Sequence, residues 1–173
     1  QILKILFQRK KYEITLNLIG KIQIKNVLMA ILAANKSGLR FKQIINVIDK
    51  IKPVQGRLEK IGAIKNNSRV ILDYAHTPDA LETTLMSIKE QFPKSKIILV
   101  FGCGGERDYK KRSIMGKIAE KYSDRIYLTD DNPRNEDPST IRKDIKKGIK
   151  RTNIWELPDR EKAIHEAIMS LNI

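Results

Sequence analysis

The sequence is poor in cysteine, in aromatic residues and in long apolar runs. A single cysteine, Cys103, excludes an internal disulfide and is typical of a reducing compartment, so we expect a cytoplasmic protein. No run approaches the roughly 18–20 apolar residues of a transmembrane helix. Residues 1–20 alternate apolar and charged residues and contain no signal-peptide cleavage site. We therefore expect neither membrane insertion nor secretion.

Basic residues outnumber acidic ones by 34 to 20, which gives a formal charge of +14. Such an excess is typical of nucleic-acid-binding proteins. The lysines are, however, scattered through every segment, and aromatic residues that stack on bases are not interleaved with them. We interpret the charge as a solvated surface that helps to collect anionic substrates such as nucleotides. A basic nucleic-acid-binding module is kept as an alternative.

The apolar pattern divides the chain into two regions, with a boundary near residues 52–56, where a proline interrupts a helical pattern. In the first region, β-rich runs at 2–7 and 12–19 predict a hairpin whose basic turn spans residues 9–11. A helix over residues 26–35 is apolar nearly all round and is expected to be buried. A second helix follows, with the apolar stripe Phe41, Ile44, Ile45 and Ile48.

After Gly56, strand and helix patterns alternate, which predicts a Rossmann-like α/β fold with a mostly parallel sheet wrapped by helices. The strands are predicted at 57–64, 69–74, 97–101, 125–128 and 153–157, with a turn at 66–68. Helices are predicted to begin at Thr77-Pro78, before Ile114, near Ser139 and at Asp159. Their predicted apolar faces include Leu81, Leu85, Ile114, Met115, Ile118, Ile141, Ile145, Ala163, Ile164 and Ala167.

Polar residues concentrate in three loops that follow predicted strands: DYAHTPD at 73–79, GCGGERD at 102–108 and TDDNPR at 129–134. Ligands of open α/β sheets bind beyond the carboxyl ends of the strands, so this coincidence predicts a binding site. Each loop alone also has a structural explanation, since Asp73 and His76 could brace a turn and glycines allow tight ones. The second loop matches neither a dinucleotide fingerprint nor a phosphate loop.

The order of the motifs is more specific than any one loop. The chain carries GRLE at 56–59, DYAHTPDAL at 73–81, FGCGGERD at 101–108, KR at 111–112 and DNPR at 131–134. This series closely resembles the Mur ligase family and, within it, the UDP-N-acetylmuramoyl-tripeptide synthetases. The resemblance implies that residues 54–173 are the carboxyl-terminal, amino-acid-binding domain, truncated at its end. Residues 1–53 would then be the end of the central ATPase domain.

The resemblance implies an ATP-dependent ligase that joins meso-diaminopimelate to UDP-N-acetylmuramoyl-L-alanyl-D-glutamate through an acyl phosphate. The DNPR motif is the signature of diaminopimelate in this family. By that match, Arg107 and Arg134 hold the distal carboxylate, for which a guanidinium offers a bidentate fork. Asp131 and Asn132, followed in the motif by Pro133, hold the distal amino group. Lysine lacks this carboxylate, so a lysine-adding relative needs no arginine at position 134.

The nucleotide side of the site is also implied by the resemblance. It assigns Asn26, Arg57, Asp73 and His76 to ATP, and it leaves Mg²⁺ mainly to a central-domain segment that this sequence does not show. Lys111 and Arg112 either face the anionic substrate or are solvated charges. Since a helix start is electrostatically unfavourable for cations, we favour the ligand role.

The sequence also departs from the family pattern. It has no Gly-Lys-Ser/Thr phosphate loop, no UDP-sugar domain and no Gly-Lys-Gly-His-Glu stretch, while Gln23, Glu106 and Ser113 replace the usual Asn, Asp and Pro. We expect an incomplete chain without ligase activity of its own and a monomeric full-length enzyme. The alternative within the fold is a folylpolyglutamate synthetase-like ligase, whose glutamate pocket would not need Arg107 and Arg134 together.

Overall fold

A computed structural model describes residues 1–64, 68–152 and 154–172, which pack as two compact units. The first unit comprises residues 1–64 and 69–74, and the second comprises Ser68 and the described residues from Ala75 onward. The turn predicted at 66–68 and the start of the strand predicted at 153–157 lie partly outside the described residues.

The first unit begins with an antiparallel hairpin, whose turn lies at Gln8 and Arg9 with positive φ angles of 46° and 63°. Lys10 and Lys11, predicted in the turn, are instead paired in the second strand. The elements of this part are β1 (Ile2–Phe7), β2 (Lys10–Thr15), α1 (Lys21–Lys36), α2 (Phe41–Ile45) and a 3₁₀ turn (Ile48–Lys50).

The core of the first unit joins the inward face of the hairpin to α1 and α2. The ring of Phe41 stacks on Phe7, with centroids 3.9 Å apart, and meets Tyr12 edge-on at 5.1 Å. The prediction that the α1 region is wholly buried is wrong, because Met29 and Leu32 are 68 % and 57 % exposed. An apolar helix face is buried only where another element packs on it. In the described part of this unit the hairpin and α2 pack on one face of α1, which includes Val27 and Ile31.

A second antiparallel hairpin in the first unit joins β3 (Glu59–Ala63) and β4 (Arg69–Leu72), with a bulge between Lys60 and Gly62. Both strands are shorter than their predicted runs. Among the described residues β4 pairs with β3 and not with the parallel sheet. The polar loop after β4 therefore does not follow a strand of that sheet, contrary to expectation.

The second unit alternates helices and strands around a parallel sheet of order β5–β6–β7, which confirms the predicted α/β class. Its elements are α3 (Pro78–Gln91), β5 (Ile98–Phe101), α4 (Lys110–Tyr122), β6 (Arg125–Leu128), α5 (Pro138–Lys146), β7 (Ile154–Glu156), α6 (Arg160–Met169) and a 3₁₀ turn (Ser170–Asn172). In the part of the chain that is described, no helix is both long and apolar enough to span a membrane.

Successive residues of β6 serve two cores, as the pleat of a strand requires. Ile126 and Leu128 pack with α3, α4 and α5, whereas Tyr127 packs with Ala163 and Ala167 of α6. Two residues predicted to face inward, Ile114 and Ile164, are 46 % and 43 % exposed. Each adjoins a buried neighbour, Met115 or Ala163, at the border of its helix's apolar stripe.

Glycines bring α4 and α5 into close contact. A Cβ atom added at Gly148 would lie 1.9 Å from the carbonyl oxygen of Ser113, and one at Gly116 would lie 2.2 Å from that of Ile145. Gly62, in the first unit, has no described atom within 4 Å of such a Cβ. The helix pair of the second unit thus depends on direct approach of backbone to backbone.

Candidate functional site

The second loop (102–108) and the third loop (129–134) leave the carboxyl ends of the adjacent strands β5 and β6 and bind to each other. The Gly105 N–H donates to the Asn132 carbonyl at 2.8 Å, and Nη1 of Arg134 donates to the Gly105 carbonyl. A Cβ atom at Gly105 would lie 1.9 Å from the carbonyl oxygen of Pro133. This position accommodates only glycine without a shift of one of the two loops.

The two loops also share an uncommon backbone conformation. Arg134 and Glu106 have φ angles of 52° and 50°, in the left-handed region, which costs a non-glycine residue on the order of 1 kcal/mol. Residues held in this way cluster at binding sites, where the surrounding contacts maintain them. Both segments that carry the predicted arginines are therefore held in defined, strained shapes.

The predicted diaminopimelate residues are in part used by the loops themselves. The Asn132 side chain accepts the Arg134 N–H at 3.3 Å through Oδ1, and so closes the turn around Pro133. Arg107 and Asp131 are exposed, and neither side chain makes a hydrogen bond or ion pair with the described residues. The structure places the Arg134 guanidinium on the second loop at Gly105, two residues before Arg107. Within this set, Arg107 and Asp131 present unoccupied charged groups to solvent.

The prediction that Arg112 faces the anionic substrate or solvent is wrong, because its side chain is buried and bound by carboxylates of the protein itself. It is 2 % exposed, its Nη2 donates to both carboxylate oxygens of Glu136 at 2.9 and 2.8 Å, and its Nη1 donates to Asp144 at 3.1 Å. Burial works to lower the pKa of Arg112, but the hydrogen bonds with the two carboxylates outweigh it and raise the pKa. A buried cation requires such partners, which lie 24 and 32 positions away in sequence.

A second buried arginine, Arg142, holds the third loop from α5. Its Nη1 donates to Asp130, and its Nε donates to Glu156 at 2.9 Å. Arg160 adds a hydrogen bond to the Asp130 carbonyl at 3.1 Å. Asp130 directly precedes the predicted substrate residue Asp131, so these arginines fix the start of the DNPR segment. The burial of Arg112 and Arg142 was not predicted, since an arginine on a helix gives no local sign of burial.

Cys103 belongs to the second loop, and its side chain is a buried thiol with its Sγ 3.7 Å from the Sδ of Met115. Burial raises the pKa of this thiol to about 11. The thiolate is the nucleophilic form, so Cys103 is not an activated nucleophile at neutral pH.

Three of the four predicted nucleotide residues come together in the first unit. Asn26 donates to the Gln23 side chain at 3.4 Å, and Gln23 in turn donates to the Arg57 carbonyl at 2.8 Å. The Asp73 carboxylate accepts the Leu58 N–H at 2.8 Å. Gln23, a departure from the family pattern, thus links α1 to the segment that carries Arg57.

The fourth predicted residue, His76, belongs to the second unit and is exposed. Its carbonyl oxygen accepts a hydrogen bond from Nζ of Lys111 at 2.8 Å. This contact uses the Lys111 ammonium to join the start of α4 to the segment before α3. Among the residues described, no group of three histidine, cysteine, aspartate or glutamate side chains is arranged to hold a metal.

Comparison with known proteins gives one family. The family model described as "Mur ligase, glutamate ligase domain" matches residues 56–172. A UDP-N-acetylmuramoyl-L-alanyl-D-glutamate–2,6-diaminopimelate ligase of Rickettsia montanensis is 43 % identical over 166 residues, which are 95 % of this chain and 34 % of that protein. The chain spans about a third of the length of the curated relatives it matches.

Solved structures agree on the fold. A structure of a ligase of the same description superposes with a TM-score of 0.64 at 32 % identity, covering 94 % of this chain and 33 % of that one. A Mycobacterium tuberculosis folylpolyglutamate synthase, complexed with ADP and AMPPCP, gives 0.78 at 18 % identity, covering 99 % and 38 %. The higher score at lower identity reflects shared backbone shape and carries no information on substrate.

Proposed function

The chain belongs to the Mur ligase family, and from this premise we propose that it is part of an ATP-dependent ligase of peptidoglycan synthesis, the part that binds meso-diaminopimelate. The observation that supports this most is the packing of two arginine-bearing loops on each other at the ends of adjacent parallel strands. The 43 % identity to ligases named for diaminopimelate adds to it. In the proposed reaction, ATP phosphorylates a carboxylate of UDP-N-acetylmuramoyl-L-alanyl-D-glutamate, and the amino group of diaminopimelate displaces phosphate.

The proposed roles of the substrate residues follow from their chemistry. Arg107 and Arg134 bind the distal carboxylate, and Arg134 can do so while Nη1 stays on Gly105, since a guanidinium has five N–H donors. Asp131 and Asn132 bind the distal ammonium, and Pro133 restricts the loop between them and Arg134. Lysine would leave the arginines without a carboxylate, which disfavours it.

We propose that Asn26, Arg57, Asp73 and His76 contact ATP, and that the phosphates and Mg²⁺ are bound mainly by groups outside this chain. Residues 1–53 then belong to the central ATPase domain and residues 54–173 to the amino-acid-binding domain. Since no Gly-Lys-Ser/Thr loop occurs in the sequence, we expect no turnover by this polypeptide alone. We place the full-length enzyme in the cytoplasm as a monomer that acts on soluble nucleotide substrates.

A thermal-shift comparison on the 173-residue chain tests the substrate class. We expect stabilisation by meso-diaminopimelate, because a ligand that binds the folded state alone raises its stability. Stabilisation by L-glutamate instead would favour a folylpolyglutamate synthetase-like ligase. Stabilisation by an oligonucleotide, with steep loss as salt rises, would favour a nucleic-acid-binding module.

The substitution Arg134→Ala tests the site. It removes one of the two proposed carboxylate partners, so we expect diaminopimelate affinity to fall by roughly tenfold or more. The matched control is Arg40→Ala, which removes an exposed arginine of the first unit and should leave the affinity unchanged. Unchanged affinity in Arg134→Ala would reject the assignment. Isothermal titration calorimetry provides the measurement.

A further inference from the structure

We propose that Glu136, held by the buried Arg112, is a positioning residue that fixes the Arg107 loop against the Arg134 loop and so sets the affinity for the distal carboxylate. Glu136 would act without touching the substrate. The inference rests on the proposed function of the two arginines and assigns a role to Glu136, which lies two residues beyond the DNPR motif.

Glu136 connects the two loops directly. It lies two residues after Arg134, and its Oε1 accepts the N–H of Glu106, the residue immediately before Arg107. The same carboxylate receives both hydrogen bonds from Nη2 of Arg112. One side chain thus joins the backbone beside the first proposed carboxylate ligand to the segment that carries the second.

A second contact closes the connection from the opposite direction. Nδ2 of Asn135 donates to Oε1 of Glu106 at 2.7 Å, so Glu106 is bound by Glu136 through its amide and by Asn135 through its side chain. Glu106 is one of the two loop residues at positive φ. A strained conformation persists only where contacts such as these hold it.

Arg112 gives Glu136 a defined orientation. The Glu136 side chain is 31 % exposed and, without a partner, would sample several rotamers. The planar guanidinium engages both of its oxygens and is itself fixed by burial and by Asp144. The N–H of Glu106 and then Arg112 lower the pKa of Glu136, so the carboxylate stays ionised at neutral pH.

Asp144 provides a matched control for a purely structural role. It binds the same guanidinium at 3.1 Å, and its side chain is 23 % exposed, close to that of Glu136. Among the described residues its other hydrogen-bond partner is Lys147, whose Nζ donates to Oδ1 at 2.6 Å, and neither partner belongs to the second or the third loop. Glu136→Ala and Asp144→Ala each leave Arg112 with one carboxylate, but only Glu136→Ala removes a contact with the second loop.

The experiment measures binding of meso-diaminopimelate and of L-lysine to the wild-type chain and both variants by calorimetry. We expect Glu136→Ala to weaken diaminopimelate binding by roughly tenfold, the factor that corresponds to the loss of one well-oriented, charge-assisted hydrogen bond to the distal carboxylate. Lysine binding should not change, because lysine has no distal carboxylate. Asp144→Ala should preserve the ratio of the two affinities. Equal ratios in all three proteins would overturn the proposal.

Amide hydrogen exchange without ligand gives an independent reading. We expect the Glu106 amide to exchange faster in Glu136→Ala and at the wild-type rate in Asp144→Ala, with both variants folded by circular dichroism. Unchanged exchange at Glu106 would overturn the positioning role. If the wild-type chain binds no diaminopimelate but Glu106 exchange responds as expected, the proposed function fails while the connection between the loops stands.

Discussion

Each of the two compact units is stabilised internally by a different kind of interaction. In the first, rings and aliphatic side chains form the core around Phe41, and the ion pair between Lys4 and Glu13 is exposed, where such pairs contribute little. In the second, a mostly aliphatic core that includes Phe101 is accompanied by the buried arginines Arg112 and Arg142, each bound to two carboxylates. Directional contacts are concentrated where the candidate substrate loops need a fixed geometry.

Glycines show the same contrast. In the first unit Gly38 has a φ of 98° and open space around its missing Cβ, so it serves a turn after α1. In the second unit Gly105 and Gly148 allow backbone segments to touch. A Cβ atom added at these glycines therefore meets open space in the first unit and backbone atoms in the second, and this difference can be tested in both units.

The largest effect is expected in the first unit from Phe41→Ala. Phe41 is buried and carries both ring contacts of that core, and truncation of a buried phenylalanine costs about 3–5 kcal/mol. The measurement is hydrogen exchange at the β1–β2 amides. Leu39→Ala, at a position 54 % exposed, is the control and should be neutral. Slow exchange retained in Phe41→Ala would show that aromatic packing does not hold this unit.

An intermediate effect is expected in the second unit from Gly148→Ala. The added Cβ would lie 1.9 Å from the Ser113 carbonyl, so α4 and α5 must separate, at about 1–3 kcal/mol. Gly62→Ala, with open space in the first unit, is the matched control, and its effect is followed by hydrogen exchange at the β3–β4 amides. Urea unfolding followed through Trp155, the single tryptophan, reports on the second unit. Equal urea midpoints for Gly148→Ala and the wild type would show that the second unit does not depend on close backbone contact at this glycine.

The smallest effect is expected on the stability of the second unit at low pH, through Asp137. Hydrogen bonds from the Ser139 hydroxyl and amide, and then from Thr140, lower the pKa of Asp137 from 3.8 to about 2. Because folding favours the ionised form, this stabilisation is present above about pH 4 and is lost as the pH falls towards 2. Asp137→Asn should reduce the difference in Trp155-monitored stability between about pH 5 and about pH 3. An identical difference in wild type and variant would contradict this.

Local sequence rules predicted the elements of the second unit well. The Thr77 and Asp159 caps accept hydrogen bonds from the amides of Ala80 and Lys162, as short-range helix signals require. Apolar periodicity also identified Leu85 and Ile145 as core. These features depend on neighbours within one or two helical turns, which a single sequence displays.

Long-range partners were not predictable in the same way. Nothing around Arg112 indicates that Glu136 and Asp144 will surround it, and nothing in α1 indicates that Met29 stays exposed. The positions of the two candidate substrate loops were predicted because these loops follow strands. The contact between Arg134 and Gly105 depends on the register of β5 and β6, which no local pattern gives.

The burial of the Cys103 side chain in the core of the second unit has a practical consequence. A protonated thiol that is 4 % exposed cannot meet an alkylating reagent until the surrounding core opens. Because Cys103 is the single cysteine of the chain, the rate at which the protein is alkylated measures how often the core opens. A ligand that binds both loops should lower the rate of Cys103 alkylation. Mass spectrometry of the alkylated fraction would then report the occupancy of the ligand site without any introduced label.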